Sequence, residues 1–438
     1  MINLDSTIVA QSTSNGGALN VVRLSGPNAI NICTNIFSRE ISTPRHAYFG
    51  QILDSHGKTI DEVVLTSYIA PASFTGENLV EISCHGSFAV TSEIIRLCIK
   101  NGATPATAGE FTQRAFLNGK LNLVEAEAIG DLIIAGSKSA ATVAINQMRG
   151  DYTTELSGLR AKLLKISALL ELELDFGEED VEFASRVELT ALLTQLKERC
   201  ESLSSSFSLG NVLKNGVPVA IIGKPNVGKS TLLNRLVGEE RAIVSDIAGT
   251  TRDYLEEVIN IDGTEFRFID TAGIRDTSDT IEAIGVERSL ERMAKAHIII
   301  QLADTLDGFA AIEHSDDQKI ILVLNKCDDN QAIEDSIVRI SAKYDQGIDL
   351  LRAELLQRSG AKDYSGEGIV ISNARHFGAL ERAIEAIDKS LEAVSMGISG
   401  DFISSDIFVA LEAIGEITGE ITNDDILGEI FANFCIGK

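Results

Sequence analysis

The segment whose residue types most clearly indicate chemistry is a glycine-containing loop that could hold phosphate groups. Residues 223–230 read Gly-Lys-Pro-Asn-Val-Gly-Lys-Ser, after an apolar run at 217–222 and before a helical pattern that starts at Thr231. In this order of strand, loop and helix, backbone N–H groups cradle nucleotide phosphates. Lys229 would reach the terminal phosphates and the Ser230 hydroxyl would bind Mg²⁺. The segment therefore predicts a nucleoside triphosphate site.

Three further motifs indicate which nucleotide is bound. Each follows an apolar run predicted to be a strand, and they read Asp270-Thr271-Ala272-Gly273, Asn325-Lys326-Cys327-Asp328 and Ser341-Ala342-Lys343. Asp270 is placed to hold the metal, and Gly273 to respond to the γ-phosphate. The Asp328 carboxylate would accept hydrogen bonds from N1 and the 2-amino group of guanine, and it does not suit adenine. The four motifs together predict GTP.

The residues expected to support hydrolysis depart from the Ras pattern. Ile274 stands where Ras-type GTPases have a water-orienting glutamine, and it can neither orient water nor stabilise charge. Glu282, eight residues on, is a candidate replacement, although it could also be a solvated helix residue. The loop of small residues at 245–253 could turn backbone carbonyls inward. With the side-chain oxygen of Asn226, these would form a cage for a monovalent cation in place of an arginine finger.

These features resemble the tRNA-modifying GTPase MnmE (TrmE) family over nearly the full length of the chain. The resemblance rests on the phosphate loop with Asn226, on residues 246–253, on the run 270–275 followed by Glu282, and on the last four residues, 435–438. It implies a K⁺-activated GTPase whose G domains pair when GTP binds.

The resemblance also implies which residues hold the ligands of the G domain. K⁺ would be held by Asn226, Ser245, Ile247 and Thr250, and Mg²⁺ by Ser230 and Thr251. Glu282 would position the attacking water, directly or through a second water, and Lys229 would act on the phosphates. The full set expected to bind GTP is Asn226, Val227, Gly228, Lys229, Ser230, Thr231, Ser245, Asp246, Ile247, Ala248, Gly249, Thr250, Thr251, Asp270, Thr271, Ala272, Gly273, Asn325, Lys326, Asp328, Ser341 and Ala342.

The N-terminal third carries charged residues inside strand-like sequence. From the residues alone, solvent exposure is the favoured interpretation for Arg23 and for Glu81. Residues 109–121, however, are similar to the most recognisable N-terminal stretch of the family. The resemblance implies a folate site formed by Arg23, Glu81, Lys120 and Lys438. Glu81 would pair with N–H donors of the pterin, and the cations would suit the glutamate tail.

Two nearby residues have alternative roles. Cys435 could act in one-carbon transfer beside the folate, or it could serve only to dock the C-terminal tail. A prenylation signal is excluded there because Gly437 is not aliphatic and Lys438 is a poor last residue for that signal. His85 could take part in acid/base chemistry, and a structural histidine is the alternative.

Composition limits how the protein could meet nucleic acid. The chain has 64 acidic and 38 basic residues, a net charge of −26, and no dense Lys/Arg stripe. Its average surface should therefore repel a phosphate backbone. The resemblance implies that tRNA is held mainly by an FAD-dependent subunit of the MnmG (GidA) type, in a heterotetramer. It also implies a homodimer formed through the N-terminal domain.

The cysteines and the apolar runs predict a cytoplasmic protein without a membrane segment. Six cysteines occur at positions 33, 84, 98, 200, 327 and 435, without a CxxC or a paired framework, which indicates reduced thiols. No apolar run reaches the roughly 18 residues of a membrane span, and the N-terminus lacks the features of a signal peptide.

The pattern along the chain predicts a multidomain α/β plus α protein. Residues 1–120 alternate β-rich and helical stretches and predict an α+β folate-binding and dimerisation domain. Residues 121–213 and 372–438 are helical, the second part ending in the Cys-Ile-Gly-Lys tail. Residues 214–371 predict a Ras-like P-loop GTPase domain with a mixed, mostly parallel sheet and helices on both faces. We expect this domain to be inserted into a discontinuous helical domain.

The function that the resemblance implies is modification of tRNA. The protein would add an aminomethyl or carboxymethylaminomethyl group to C5 of wobble uridine 34, using 5,10-methylene- or 5-formyl-tetrahydrofolate as the source of a one-carbon unit. The alternatives are a ribosome-assembly GTPase switch and a regulatory protein that binds GTP slowly. One segment departs from the family, because residues 13–18 keep two glycines but lack the prolines and arginine common there. The local turn, and any dimer contact made there, are therefore open.

Overall fold

The computed structural model describes residues 3–14, 16–175, 185–239, 257–269, 295–315, 318–327, 337–361, 364, 366, 368–422, 424–432 and 434–437. The described residues form two compact units. One contains residues up to Gly130 together with those from Gly415 onward, and the other runs from Asp131 to Ile414. The domain boundaries at residues 120, 213 and 371 stay predictions.

The described secondary structure alternates strands and helices in the first unit and in the nucleotide region. The strands are β1 (Ile8–Gln11), β2 (Leu19–Ser25), β3 (Ala47–Leu53), β4 (Thr59–Tyr68), β5 (Leu79–His85), β6 (Thr104–Pro105), β7 (Val217–Ile222), β8 (Glu257–Ile261), β9 (Thr264–Phe268), β10 (Ile298–Ala303), β11 (Lys319–Leu324) and β12 (Ile337–Arg339). The helices are α1 (Ala29–Ile36), α2 (Phe88–Lys100), α3 (Glu110–Leu117), α4 (Leu123–Ile134), α5 (Lys138–Met148), α6 (Asp151–Asp175), α7 (Arg186–Ser205), α8 (Phe207–Asn215), α9 (Lys229–Glu239), α10 (Ile348–Arg358), α11 (Ala374–Ser395), α12 (Gly400–Thr418) and α13 (Asp424–Ala432).

The sheet of the first unit has the order β3-β4-β5-β2-β1-β6, and its neighbours are antiparallel except for the parallel pair β1–β6. Side chains alternate across the sheet, so that Val22, Leu24 and Ile82 join the core beneath α1 and α2. Arg23 and Glu81 consequently lie on the opposite face. This alternation places the polar candidates of two strands side by side.

The second unit holds a sheet of order β12-β11-β10-β7-β9-β8, in which only the β8–β9 pair is antiparallel. The predicted mixed, mostly parallel sheet is therefore confirmed. Leu232 and Leu236 of α9 and Leu351 of α10 pack with Val219 and Ile300 in its main core. Parallel strands end at one edge of the sheet, so this packing brings the loops after β7, β10 and β11 together.

The remainder of the second unit is helical. Helix α6 buries one apolar face, whose residues recur at steps of three and four: Leu156, Leu159, Leu163, Ile166 and Leu170. Helix α5 also contacts the nucleotide sheet, because Ser139 Oγ donates to the carbonyl of Gly263 in the β8–β9 turn at 3.1 Å. None of the described helices combines the length and the apolar character needed to cross a membrane. The multidomain α/β plus α architecture agrees with the prediction.

Candidate functional site

The phosphate loop leaves the carboxyl end of β7 and enters α9 at Lys229. Two of its positions require glycine because neighbouring groups leave no room for a Cβ atom. A Cβ on Gly223 would lie 2.2 Å from the Leu302 carbonyl oxygen, and one on Gly228, which has φ of +103°, would lie 2.3 Å from Asn325 Nδ2. Asn226 has φ of +63°, a conformation that asparagine tolerates better than most residues. The local sequence thus fits a tight loop around an anion.

Lys229 folds back over this loop. Its Nζ donates to the carbonyl oxygens of Gly223 at 2.8 Å and Lys224 at 2.9 Å. Phosphate oxygens could replace these carbonyl acceptors without leaving the ammonium group unpaired. The first N–H groups of α9, at Lys229, Ser230 and Thr231, add the positive end of a helix dipole to the same place. The arrangement can bind and polarise a terminal phosphate.

Asn325 connects three of the predicted motifs. Its side chain is buried; Nδ2 donates to the Val227 carbonyl oxygen at 2.8 Å, and Oδ1 accepts from the Ala342 N–H at 3.0 Å. The sequence predicts Asn325 to bind the nucleotide. It gives no sign that this side chain also links neighbouring loops, which we call its scaffold role. The phosphate loop and the segments around Asn325 and Ala342 are therefore brought together by one amide.

Two other contacts shape the base side of the site. Lys326 Nζ binds Asp304 Oδ2 at 2.9 Å, and this hydrogen bond, more than the charge itself, lowers the pKa of Asp304. Ser341 is buried, and its N–H donates to the Gln346 carbonyl oxygen at 2.9 Å. The first contact ties the loop after β10 to the loop after β11, and the second closes the turn after β12.

The other predicted residues of the G domain lie outside the described residues. β8 begins at Glu257 and β9 ends at Phe268, so the structure describes the strands that flank two of these segments. The roles assigned to these residues stay predictions, as does that of Lys438 in the first unit. The set consists of Ser245, Asp246, Ile247, Ala248, Gly249, Thr250, Thr251, Asp270, Thr271, Ala272, Gly273, Glu282 and Asp328.

In the first unit, Arg23 and Glu81 form an ion pair. They are directly opposite in the β2–β5 register, and Arg23 donates to Glu81 Oε1 from Nη2 at 2.7 Å and from Nε at 3.0 Å. Their side chains are 15% and 28% exposed. The expectation from the residues alone, that each faces solvent, holds only in part, because both side chains are partly exposed while the strand register pairs them.

Two aromatic rings frame this ion pair. The guanidinium carbon of Arg23 lies 5.4 Å from the ring centre of Phe74 and 5.7 Å from that of Phe111. Both distances fall within cation–π range. Burial, followed by the charge of Glu81, raises the pKa of Tyr68 on the adjacent strand. The result is a partly buried surface with two aromatic rings, one positive charge from Arg23 and one negative charge from Glu81.

Lys120 and the C-terminal tail lie in the same unit. A Cβ on Gly76 would lie 3.1 Å from Lys120 Cγ, so the lysine stem packs on the loop that carries Phe74. Ile436 forms a bridge with Ala108, and the Gly109 N–H donates to the Cys435 carbonyl oxygen at 3.4 Å. The structure therefore brings Cys435 to the start of α3. Whether Cys435 is catalytic or only docks the tail stays a prediction.

His85 has a defined partner. Its Nδ1 lies 2.7 Å from Asp61 Oδ1, and its backbone N–H donates to Asp61 Oδ2 at 2.9 Å. The carboxylate fixes the imidazole at the end of β5, while most of the ring is exposed. This contact explains a structural role, and it leaves the other ring nitrogen accessible.

Sequence analysis missed Arg114, which is fully buried. It bonds Glu77 Oε1 at 3.1 Å and Glu110 Oε1 at 2.9 Å. The spacing of four between Glu110 and Arg114 on a predicted helix could have indicated the second contact. No local sequence pattern indicates the contact with Glu77, because that residue is 37 positions away.

Comparison with known proteins decides the family. A family model described as "GTP-binding protein TrmE N-terminus" matches residues 7–120, and one described as "MnmE helical domain" matches residues 123–435. The chain belongs to the MnmE family of tRNA modification GTPases. The chain is thus a GTP hydrolase of tRNA modification that binds GTP with Mg²⁺, and family membership favours this function over a ribosome-assembly switch.

Relatives match over their whole length. The tRNA modification GTPase MnmE of Christiangramia forsetii is 43% identical over 475 residues, covering 100% of both chains. That of Cytophaga hutchinsonii is 45% identical over 457 residues, covering 100% of this chain and 98% of the relative. Among solved structures, the FeoB G-domain from Methanococcus jannaschii covers 33% of this chain at 21% identity with a TM-score of 0.22.

Proposed function

We propose that this member of the MnmE family works with an FAD-dependent subunit of the MnmG (GidA) type. Together they would add an aminomethyl or carboxymethylaminomethyl group to C5 of wobble uridine 34 of certain tRNAs. The observation that carries the proposal is the convergence, in one unit, of the Arg23–Glu81 pair, Phe74, Phe111 and the tail at Cys435. A GTPase that acted only as a switch would not need this second set of groups.

The residues present in the first unit fit a reduced folate. Glu81 is partly exposed and can accept from the pterin N–H donors, and Lys120 is exposed and can meet a carboxylate. Ser12 Oγ is buried beneath the tail and has no hydrogen-bond partner among the described residues, so a polar ligand could satisfy it. A bound tetrahydrofolate derivative would supply the one-carbon unit. The protein's part is to bind and orient it, with Lys438 as a further cation.

GTP hydrolysis in this proposal depends on K⁺. Asn226 would contribute its side-chain oxygen, and Ser245, Ile247 and Thr250 their carbonyls. The ion would add positive charge where Ras-type enzymes use an arginine. Glu282 would hold the attacking water. Replacing K⁺ by Na⁺, or Glu282→Ala, should slow turnover by about 100-fold or more. Equal turnover in the two salts would refute the K⁺ dependence.

A homodimer through the first unit is supported by an open sheet face. Leu19 and Phe49 are 65% and 57% exposed, and the strand register puts both, with Val64, on the face opposite α1 and α2. Phe49 and Val64 are direct cross-strand partners, and exposed apolar residues that adjoin one another indicate a contact surface. Phe49→Asp should shift the mass measured by light scattering from two chains to one, and an unchanged mass would contradict this interface.

The acidity of the chain supports a partner subunit that binds the tRNA. A net charge of −26 disfavours direct tRNA binding and favours a more basic subunit that holds the tRNA. The proposed complex is a heterotetramer. Co-elution of the two purified proteins, lost at high salt, is the expected result.

The test of the function is mass spectrometry of tRNA nucleosides from cells that lack this protein. Complementation with the wild-type chain should restore C5-aminomethyl-type uridines, whereas Lys229→Ala should not. Lys224→Ala is the matched control, because it removes an exposed lysine from the same loop and keeps the backbone carbonyl. A nucleoside profile that is unchanged in the deletion would overturn the proposal.

A further inference from the structure

A buried ionic cluster centred on Arg114 lies next to the proposed folate site. Arg114 has no exposed side-chain surface, and it is paired with two carboxylates, Glu77 and Glu110. It also donates to the carbonyl oxygens of Ser6 at 2.8 Å and Asn3 at 3.1 Å. All its contacts lie within the first unit, and none of the proposed steps uses it.

The first arm of the cluster fixes the loop at residues 73–77. Glu77, held by Arg114, accepts from Ser25 Oγ at 2.6 Å, and Ser25 Oγ lies 2.6 Å from Thr75 Oγ1. The Thr75 carbonyl oxygen accepts from Asn118 Nδ2 at 2.7 Å. The loop between these anchors carries Phe74, the first ring beside Arg23.

The second arm fixes the start of α3. Glu110 Oε1 accepts from Arg114, and Glu110 Oε2 accepts from the Thr107 N–H at 2.8 Å and from Thr107 Oγ1 at 3.1 Å. The next residue on the helix is Phe111, the second ring beside Arg23. One guanidinium therefore sets the positions of both aromatic walls.

Stability alone does not account for such a cluster. Moving three charged groups out of water is costly, and a well-packed apolar group is often as stable as a buried ion pair. An apolar side chain cannot bridge two separate carboxylates. The planar guanidinium of an arginine can donate to both in one plane, whereas the ammonium group of a lysine lacks this geometry. The cluster is best explained by the geometry it imposes.

We infer that Arg114 is a positioning residue for the folate site, which holds the rings of Phe74 and Phe111 within cation–π distance of Arg23. The inference rests on the proposed folate-binding function. Arg114 touches neither the ligand nor the reacting atoms. Its effect on folate reaches the site only through the loop at 73–77 and the first turn of α3.

The test is binding of 5-formyltetrahydrofolate to the full chain by calorimetry, at a temperature well below unfolding of every variant. Arg114→Lys keeps the charge, and it should weaken binding by at least about 10-fold because the walls lose their fixed spacing. K⁺-stimulated GTP turnover of the same sample should stay within twofold of wild type. The matched control is Arg96→Lys, which makes the same exchange in an exposed ion pair with Glu93 and should change neither quantity.

The outcomes separate the two claims. If wild type does not bind the folate, the proposed folate function fails, and the inference falls with it. If wild type binds and Arg114→Lys binds equally well, only the positioning role is overturned. Should Arg114→Lys not fold, Glu77→Gln decides, since it removes the charge and one acceptor oxygen of the first arm while keeping the side-chain volume. Weaker folate binding with normal GTP turnover supports the inference, and unchanged binding refutes it.

Discussion

The nucleotide region and the proposed folate region place functional groups in different ways. Around the phosphate loop, the groups are mainly backbone N–H groups and short side chains at the ends of parallel strands, within residues 223–231, 325–327 and 341–342. Around Arg23, the groups are long side chains from β2, β5, the loop at residues 73–77 and α3. The first arrangement is local in sequence, and the second is assembled by cross-strand register.

The difference teaches where each region is sensitive to mutation. A loop built on backbone groups fails when its shape changes or when its one long cation is lost. A site built from several side chains should lose affinity stepwise, by a part with each side chain that is removed. The two regions also lie in separate compact units. Single substitutions should therefore affect GTP and folate independently.

The largest effect is expected for Lys229→Ala. Removing the only lysine side chain aimed across the phosphate loop in the described residues should lower GTP turnover by about 100- to 1000-fold. Folate affinity should be unchanged. Single-turnover kinetics with radiolabelled GTP and folate calorimetry on the same sample check both parts. A parallel loss of folate binding would break the separation of the two regions.

The next effect is expected for Asn325→Ala. It leaves the buried Val227 carbonyl and the Ala342 N–H without their partner, so the free energy of unfolding should fall by about 2 kcal/mol or more. Asn325→Asp keeps the acceptor for Ala342 but sets a buried carboxylate oxygen against the Val227 carbonyl oxygen, so it should destabilise the protein at least as much. Urea denaturation measures both variants. If the alanine variant were as stable as wild type, the scaffold role of Asn325 would be untenable.

Arg23→Gln should have a smaller effect, confined to the first unit. Losing the charge beside Phe74 should weaken folate binding by about 10-fold, whereas a cross-strand pair of this exposure contributes less than about 1 kcal/mol to stability. GTP turnover should not change. Arg39→Gln, at an exposed site, is the control. Equal folate affinities for the two variants would argue against a site at Arg23.

The smallest effect is expected for Asp304→Asn, through the exposed pair with Lys326. The pKa of Asp304 is lowered in the folded state, so the pair stabilises the protein above the pKa of the unfolded chain, and the contribution is lost as pH falls through the folded pKa. The difference in unfolding free energy between wild type and variant should be less than about 0.5 kcal/mol near neutral pH. It should vanish in acid. Denaturation curves at pH 7 and at a pH below the folded-state pKa of Asp304 test this sign.

The sequence predicted the elements better than the contacts between them. The described parts of residues 1–120 alternate strands and helices as predicted, and those of residues 121–213 are helical. Periodicity is local, so it can be read from one segment. The Arg23–Glu81 pair joins residues 58 positions apart, and its geometry depends on register, which no single strand reveals.

The same distinction separates the two candidate sites. The phosphate loop could be predicted down to Lys229 because strand, loop and helix are contiguous. The scaffold role of Asn325 and the cluster at Arg114 could not, since each links segments that only the folded chain brings together. The resemblance to the family supplied Arg23, Glu81 and Lys120, and physical patterns in the sequence did not.

The contact between Ile436 and Ala108 has a consequence for biosynthesis. Residues 415–437 belong to the unit that starts at the N-terminus, and a ribosome makes them after the whole of residues 131–414. Domains usually fold in the order in which they are synthesised. Here the first unit must wait for a segment that emerges after the second. The nucleotide region of a nascent chain should therefore fold before Ile436 can form its bridge with Ala108.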